Sequence, residues 1–240
     1  MSHNAHLTCR TRIKVCGLTR ESDVDAAVAA GIDAVGFVLY HNSPRCVTLA
    51  RAAELARRLP PFVTPVLLFV NHSTDEVAAA CATVQGAVAQ FHGDETAAHC
   101  EQACALGRNA WLRAAHVPMD DNDTDFDLAG FVAEYAQAQA ILLDTRVDGY
   151  GYGGSGRAFN WSVIPPRVDA HLVLSGGLNA ANVTQAIGQV RPRCKTLSVD
   201  VSSGVEISGQ KGIKSPRKIS QFVAAVRAAD HQLSSLDHHV

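Results

Sequence analysis

Three short apolar runs end in groups that can move protons: Lys14-Val15-Cys16 near the start, Leu142-Leu143-Asp144 past the middle, and Ser198-Val199-Asp200 late in the chain. A thiol and a carboxyl facing one substrate from different sides make a general base and a general acid. Gln90, His92 and Arg113 sit at the ends of two further runs and extend the same polar set. Two glycine and serine loops complete the inventory, Ser175-Gly176-Gly177-Leu178-Asn179 and Asp200-Val201-Ser202-Ser203-Gly204-Val205-Glu206. Glycine lets backbone approach an anion, and free amides at a helix start bind it, so Gly176, Gly177, Ser202, Ser203 and Gly204 are expected to hold a phosphate monoester.

Each residue also has a plainer reading. A lone buried cysteine packs as a small hydrophobe, which would account for Cys16. A buried carboxylate costs several kcal/mol unless paired, so a purely structural Asp144 would need a partner such as Lys14 or Arg113. His92 precedes Gly93-Asp94-Glu95, where it could equally cap a turn.

The elements that must position these groups follow one rhythm. A β-branched apolar run, a polar or glycine turn and an alanine-rich segment of helical spacing recur about eight times, with strand candidates at 13–17, 34–39, 65–70, 87–91, 110–114, 140–144, 171–175 and 196–200. Ser73 with Glu76 forms a capping box, Asp94 and Glu95 place acid in a helix's first turn, and Ser215-Pro216 starts the last helix. That helix repeats apolar residues at Ile219, Phe222, Val223 and Val226. Eight βα units in about 215 residues favour a closed (β/α)8 TIM barrel, an α/β fold, over an open doubly wound sheet. The first strand also lacks the Gly-x-Gly-x-x-Gly turn of dinucleotide folds.

Side chains alternate faces along a strand, so parity places Ile13, Val15, Ile141, Leu143, Leu197 and Val199 toward the helices. Lys14, Cys16, Asp144, Ser198 and Asp200 then point into the barrel, as do Gln90, His92 and Arg113 by the same reasoning. Their polar members gather at the carboxyl ends of the strands, where barrel active sites form. The glycine-rich stretch 145–156 reads as a lid with hinges.

The composition sets outer bounds. The chain has 240 residues with 47% hydrophobic and 18% charged, and 21 Lys+Arg against 23 Asp+Glu give a formal charge of −2. Disorder is excluded at that hydrophobicity, and a nucleic-acid partner is disfavoured for want of basic excess. One domain over 1–240 is expected, its barrel core about residues 12–229. Seven cysteines, an odd number without any CxxC pair, read as reduced thiols in a cytoplasmic protein. No apolar run approaches the roughly 20 residues of a membrane span.

Taken together, Lys14-Val15-Cys16-Gly17-Leu18-Thr19, Gly36-Phe37-Val38 with Ser43-Pro44-Arg45, Val70-Asn71, Gln90-Phe91-His92-Gly93-Asp94-Glu95, Leu143-Asp144, Gly153-Gly154-Ser155-Gly156 with Phe159-Asn160-Trp161, and the two phosphate loops resemble the phosphoribosylanthranilate isomerase family of tryptophan biosynthesis. The likeness runs in order from about residue 13 to 227. It implies an Amadori rearrangement without cofactor or metal, acting on a small phosphorylated substrate, in a monomer or homodimer. By the same resemblance Cys16 matches the general base, Asp144 the general acid and Arg45 the residue that holds the anthranilate carboxylate, with His92 and Asp200 among the substrate contacts. Cys46 after Arg45, Arg157 in the lid, Asn160 before Trp161 and Ser215 before the last helix depart from the usual pattern.

A histidine-pathway isomerase of the same fold would be expected to carry an aspartate at the strand-one base, which Cys16 argues against. A non-catalytic binding barrel would not need both Cys16 and Asp144. Cys100 and Cys104, four apart on an expected helix beside His99, could share a face, but no second pair supplies the remaining ligands of a zinc site. A base thiol near pKa 8.5 benefits from a cation such as Lys14, whereas an acid working at neutral pH needs its carboxyl raised.

Overall fold

Parallel strands joined edge to edge form a closed ring in chain order, β1 through β8, with β1 paired to β8. The computed structural model describes residues 10–105, 108–119, 126–145 and 158–237. The strands are β1 (Arg12–Cys16), β2 (Ala34–Val38), β3 (Thr64–Phe69), β4 (Val88–Phe91), β5 (Trp111–Val117), β6 (Ala140–Thr145), β7 (Val168–Leu174) and β8 (Cys194–Val201). The helices are α1 (Glu21–Ala29), α2 (Leu49–Ala56), α3 (Thr74–Thr83), α4 (Ala97–Ala103), α5 (Leu128–Glu134), α6 (Val183–Val190) and α7 (Pro216–Asp237). All eight expected strands are present. Between β6 and β7 the described residues hold a 3-10 turn, Trp161–Val163, and no α-helix. The lid stretch, with Gly153, Gly154, Ser155 and Gly156, lies outside the described residues apart from Thr145, which ends β6.

The start signals act as their chemistry requires. Ser73 Oγ accepts from the Glu76 amide while Glu76 bonds back to the Ser73 amide, closing the capping box of α3. Ser215 Oγ accepts from the Lys218 amide at 3.4 Å at the head of α7, whose Ile219, Phe222, Val223 and Val226 are all buried. Asp94 and Glu95 do not open a helix. Thr96 caps α4 instead, and Glu95 turns back to accept from the amides of Asn71 at 2.7 Å and Gly93 at 2.9 Å, bracing the turn after β4.

Parity sorts the barrel into two layers. Ile13, Val15, Ile141, Leu143, Leu197 and Val199 join one large apolar cluster between strands and helices. Inside the ring, Leu112, Ala114, Ala140, Leu142 and Val173 fill one layer, while Cys16, Val38, Leu68 and Val70 make another. The inner apolar layer is the platform on which the polar residues rest.

Arg113 breaks the expectation: it faces the helices. Its guanidinium donates to the carbonyls of Phe91 at 3.2 Å and Gly93 at 2.9 Å and lies over the rings of Phe131 and Tyr135, 5.8 and 5.1 Å from their centroids. Glu95 is its charge partner at 3.5 Å. Two aromatic faces, two carbonyls and the Glu95 carboxylate hold the buried guanidinium outside the ring, although its Nε has no hydrogen-bond partner among the described residues. His116 takes the inward place on β5, because the strand continues to Val117.

The ends of the fold are welded by a buried charge cluster. Thr11 donates to Asp230 through its amide at 2.8 Å and its hydroxyl at 2.6 Å, and Arg191, 1% exposed, pairs with the same carboxylate at 3.2 Å. Removing one partner of such a pair strands the other charge in a poor solvent. Asp230→Ala is therefore expected to lower unfolding free energy by about 2–3 kcal/mol, read as a shift in urea midpoint with an unchanged slope.

Lower in the ring His171 bonds Thr196 and, at 2.8 Å, Ser198. Burial, with Arg12 and Arg191 adding to it, pushes the His171 imidazole down to about 4. The unfolded chain takes up that proton near the ordinary value of 6.5, so stability is complete above it and declines as pH falls toward 4. His171→Gln should flatten this loss, measured as urea midpoints at about pH 7 and about pH 5.

Candidate active site

At the carboxyl end of the barrel the strand tips surround an open cleft enclosing about 720 Å³, lined by Cys16, Arg45, His92, Asp144, Asp200 and both phosphate loops among others. Cys16 and Asp144 end β1 and β6, three strands apart around the ring, so they face the cleft from different walls.

Lys14 and Cys16 share the inner face of β1. The Lys14 ammonium pairs with Asp200 on the neighbouring β8 at 3.0 Å, both side chains being about 5% exposed. Burial lowers the Lys14 ammonium, but Asp200 and then Cys16 outweigh it, and the net direction is up. The thiol feels the converse: burial pushes Cys16 up, Lys14 draws it back, Asp200 raises it and Lys214 lowers it, leaving it above the ordinary thiol value. Gly36 on β2 gives the sulfur its space, since a Cβ there would stand 2.6 Å from Cys16 Sγ and 3.1 Å from Lys14 Nζ.

Asp144 finds its partner in His92, not in Lys14 or Arg113. His92 Nε2 lies 3.1 Å from Asp144 Oδ2, and the Thr145 amide donates to Oδ1 at 2.9 Å. Gln90 Nε2 sits 3.0 Å from His92 Nδ1, and His116 Nε2 is 3.1 Å from the His92 carbonyl with its ring 5.1 Å from that of His92. Burial raises the Asp144 carboxyl, but the hydrogen bond and charge of His92, with His116 and Thr145, outweigh it and hold it below the usual carboxylate range. Burial and the neighbouring His92 push His116 down as well, to about 4.

The two loops meet over the opposite side of the cleft. Ser175, Gly176, Gly177, Ser202 and Ser203 line it. Gly204 does not; a Cβ there would strike the Leu178 carbonyl, so its lack of a side chain lets the second loop close onto the first. The loop after β7 turns through Gly176 and Gly177 at positive φ, and α6 begins only at Val183, so the loop amides rather than the helix start face the cleft. Ser202 Oγ donates to the Cys16 carbonyl at 3.1 Å, tying the phosphate loop to the strand that bears the thiol.

Arg45 hangs over the mouth, 8% exposed, in a bidentate pair with Glu206 at 2.7 and 3.1 Å. Glu206 and the buried Lys214 behind it are the parts that motif reading left without a role, together with His116. Among the described residues no group of histidines, cysteines and carboxylates is arranged to hold a metal ion, and no helix is long and apolar enough to cross a membrane.

The sequence profile described as N-(5'-phosphoribosyl)anthranilate isomerase matches residues 13–225. The chain belongs to that isomerase family. The family is one of tryptophan-biosynthesis enzymes on a TIM barrel. An N-(5'-phosphoribosyl)anthranilate isomerase of Methylibium petroleiphilum is 55% identical over 226 residues, 94% of this chain and 98% of the relative, and one of Leptothrix cholodnii is 57% identical over 221 residues, 92% and 93%. Among solved structures, phosphoribosyl anthranilate isomerase from Thermotoga maritima superimposes with a TM-score of 0.76 at 36% identity, covering 91% of this chain and 99% of that one. Another isomerase of the family, solved with reduced 1-(o-carboxyphenylamino)-1-deoxyribulose 5-phosphate, gives 0.73 at 34% identity over the same shares.

The charge balance at Cys16 is open to titration. In a Cys9→Ser, Cys46→Ser background, which removes the exposed thiol of the described residues and the cysteine outside them, Lys14→Met should move the Cys16 titration to higher pH because the cation that favours thiolate is lost. The pH dependence of ultraviolet thiolate absorbance reads this directly, and a shift to lower pH would contradict the assignment of Lys14.

Proposed function

We propose that this isomerase converts N-(5'-phosphoribosyl)anthranilate to 1-(2-carboxyphenylamino)-1-deoxyribulose 5-phosphate, with Asp144 as general acid and Cys16 as general base. The observation that carries the reading is a thiol beside a lysine on β1 and a carboxyl beside a histidine on β6, facing one cleft under a paired phosphate loop. The rearrangement shifts hydrogen from C2 to C1 of the sugar without net oxidation. An acid and a base suffice for it, and no cofactor is called for.

Asp144 protonates the furanose oxygen, the ring opens, and a Schiff base forms between C1 and the anthranilate nitrogen. Cys16 thiolate then takes the proton from C2, giving an enolamine that tautomerises to the ketone. Lys14 lowers the cost of the thiolate, and Asp200 keeps that ammonium charged and in place. In the ligand-free site the hydrogen bond and charge of His92 hold the Asp144 carboxyl low, and the negative charge of the substrate phosphate favours the protonated form in which Asp144 acts as the acid.

The backbone around Gly176, Gly177, Ser202 and Ser203 holds the phosphate, with Gly204 shaping the loop. Arg45 presents its guanidinium to the anthranilate carboxylate.

The test is the loss of substrate fluorescence on addition of purified protein without metal or nucleotide. Cys16→Ser and Asp144→Asn should each slow turnover by about 10²–10⁴-fold with the fold intact by circular dichroism. Full activity in both variants would refute the acid and base. Arg45→Ala should raise KM by about tenfold or more and leave kcat nearly unchanged, the signature of lost binding common to ground and transition states.

A further inference from the structure

Arg45 has two edges, and the protein occupies only one. Its Nε and Nη2 donate to Glu206 Oε1 and Oε2, the side-on arrangement of a planar guanidinium with a carboxylate. Nη1 and the second hydrogen of Nη2 form the other edge, which is left for a ligand in the cleft that Arg45 lines. A second carboxylate, such as that of an aminobenzoate, fits this edge end-on.

Glu206 is itself held from behind. It accepts from the Gly212 amide at 2.9 Å and from Lys214 Nζ at 3.2 Å. Lys214 is 0% exposed, and its Nζ also meets the Ser202 carbonyl at 3.0 Å and hydroxyl at 3.3 Å. Burial lowers the proton affinity of Lys214, while Glu206 and the three acceptors around Nζ, one for each hydrogen of an ammonium, favour the charged form. Burial raises the Glu206 carboxyl, but Arg45, Lys214 and the Gly212 amide outweigh it and keep it ionised.

Counting formal charges, Arg45 and Lys214 against Glu206 leave the cluster at +1. Without Lys214 the Arg45–Glu206 pair would be neutral and would offer an anion little.

We infer that Glu206, fixed by Lys214 and the Gly212 amide, is a positioning residue: it sets the plane of the Arg45 guanidinium so that the free edge meets the substrate's aromatic carboxylate, and thereby determines the preference for ligands that carry that group. The inference rests on the reading of Arg45 as the carboxylate clamp. It makes a prediction opposite in sign to that of charge alone. Deleting Glu206 raises the local positive charge, which by Coulomb attraction would strengthen binding of a carboxylated ligand. Loss of positioning weakens it, because a guanidinium free to rotate must be ordered at the moment of binding.

The experiment measures calorimetric affinity for two probes, reduced 1-(o-carboxyphenylamino)-1-deoxyribulose 5-phosphate and the same molecule without its carboxyl group. Wild-type protein should prefer the carboxylated probe, and Glu206→Ala should cut that preference by about tenfold while the other probe binds within about twofold of wild type. Glu206→Gln keeps an oxygen for Lys214 and is the variant to use if alanine prevents folding; its preference should fall too, by less. A preference that is retained or increased in both variants overturns the inference, as does equal weakening of both probes. Wild-type protein that binds the probes equally would refute the Arg45 clamp, and binding of neither would refute the isomerase reading; positioning by Glu206 falls in both cases.

Discussion

A ring of parallel strands sends half of its side chains to a narrow axis, and every other property of this molecule follows from how that space is filled. Below, Leu112, Ala114, Ala140, Leu142 and Val173 exclude water. Above, where the ring opens, polar groups can be admitted only in compensated sets. Lys14 meets Asp200, His92 meets Asp144, and Arg45, Glu206 and Lys214 close on one another. A charge desolvated without such a partner would cost more than the fold can absorb.

Pairing inside the ring does chemical as well as structural work. Each of these groups has a neighbour that moves its proton affinity: Lys14 two residues before Cys16 on the same strand, Asp200 on the strand beside it, and His92 just past the end of β4, two strands from Asp144 on β6. The thiol remains raised and the carboxyl lowered in the ligand-free cleft. In the proposed reaction a bound dianionic phosphate favours the protonated form of Asp144, while the thiolate of Cys16 depends on Lys14.

Much of this was legible in the residues. The eight strands, the inward parity of Cys16, Asp144 and Asp200, the two loops and the capping box of α3 are local patterns, and local patterns survive folding. Arg113 was misplaced because a mixed polar and apolar strand does not declare which face is buried in water-poor space; the aromatic rings that receive it come from α5, about twenty residues away in sequence. Glu95 was taken for a helix start because an acid before an alanine-rich segment has that look, yet two backbone amides nearby claimed it first. Glu206 stood in a recognised motif without a function, since its two cationic partners lie in loops with no periodicity. Such partnerships become visible only when the distances do.

The Thr11, Asp230 and Arg191 weld and the β1–β8 seam share a consequence for biogenesis. The thiol of β1 precedes Asp200, Ser202 and Lys214, the groups around it from the far end of the ring, by nearly two hundred residues. Loop closure over nearly two hundred residues must precede any contact between them. A chain halted before β8 therefore carries the cysteine with Lys14 beside it but without Asp200, Ser202 or Lys214. The full electrostatic setting of the thiol forms only when β8 closes the ring against β1.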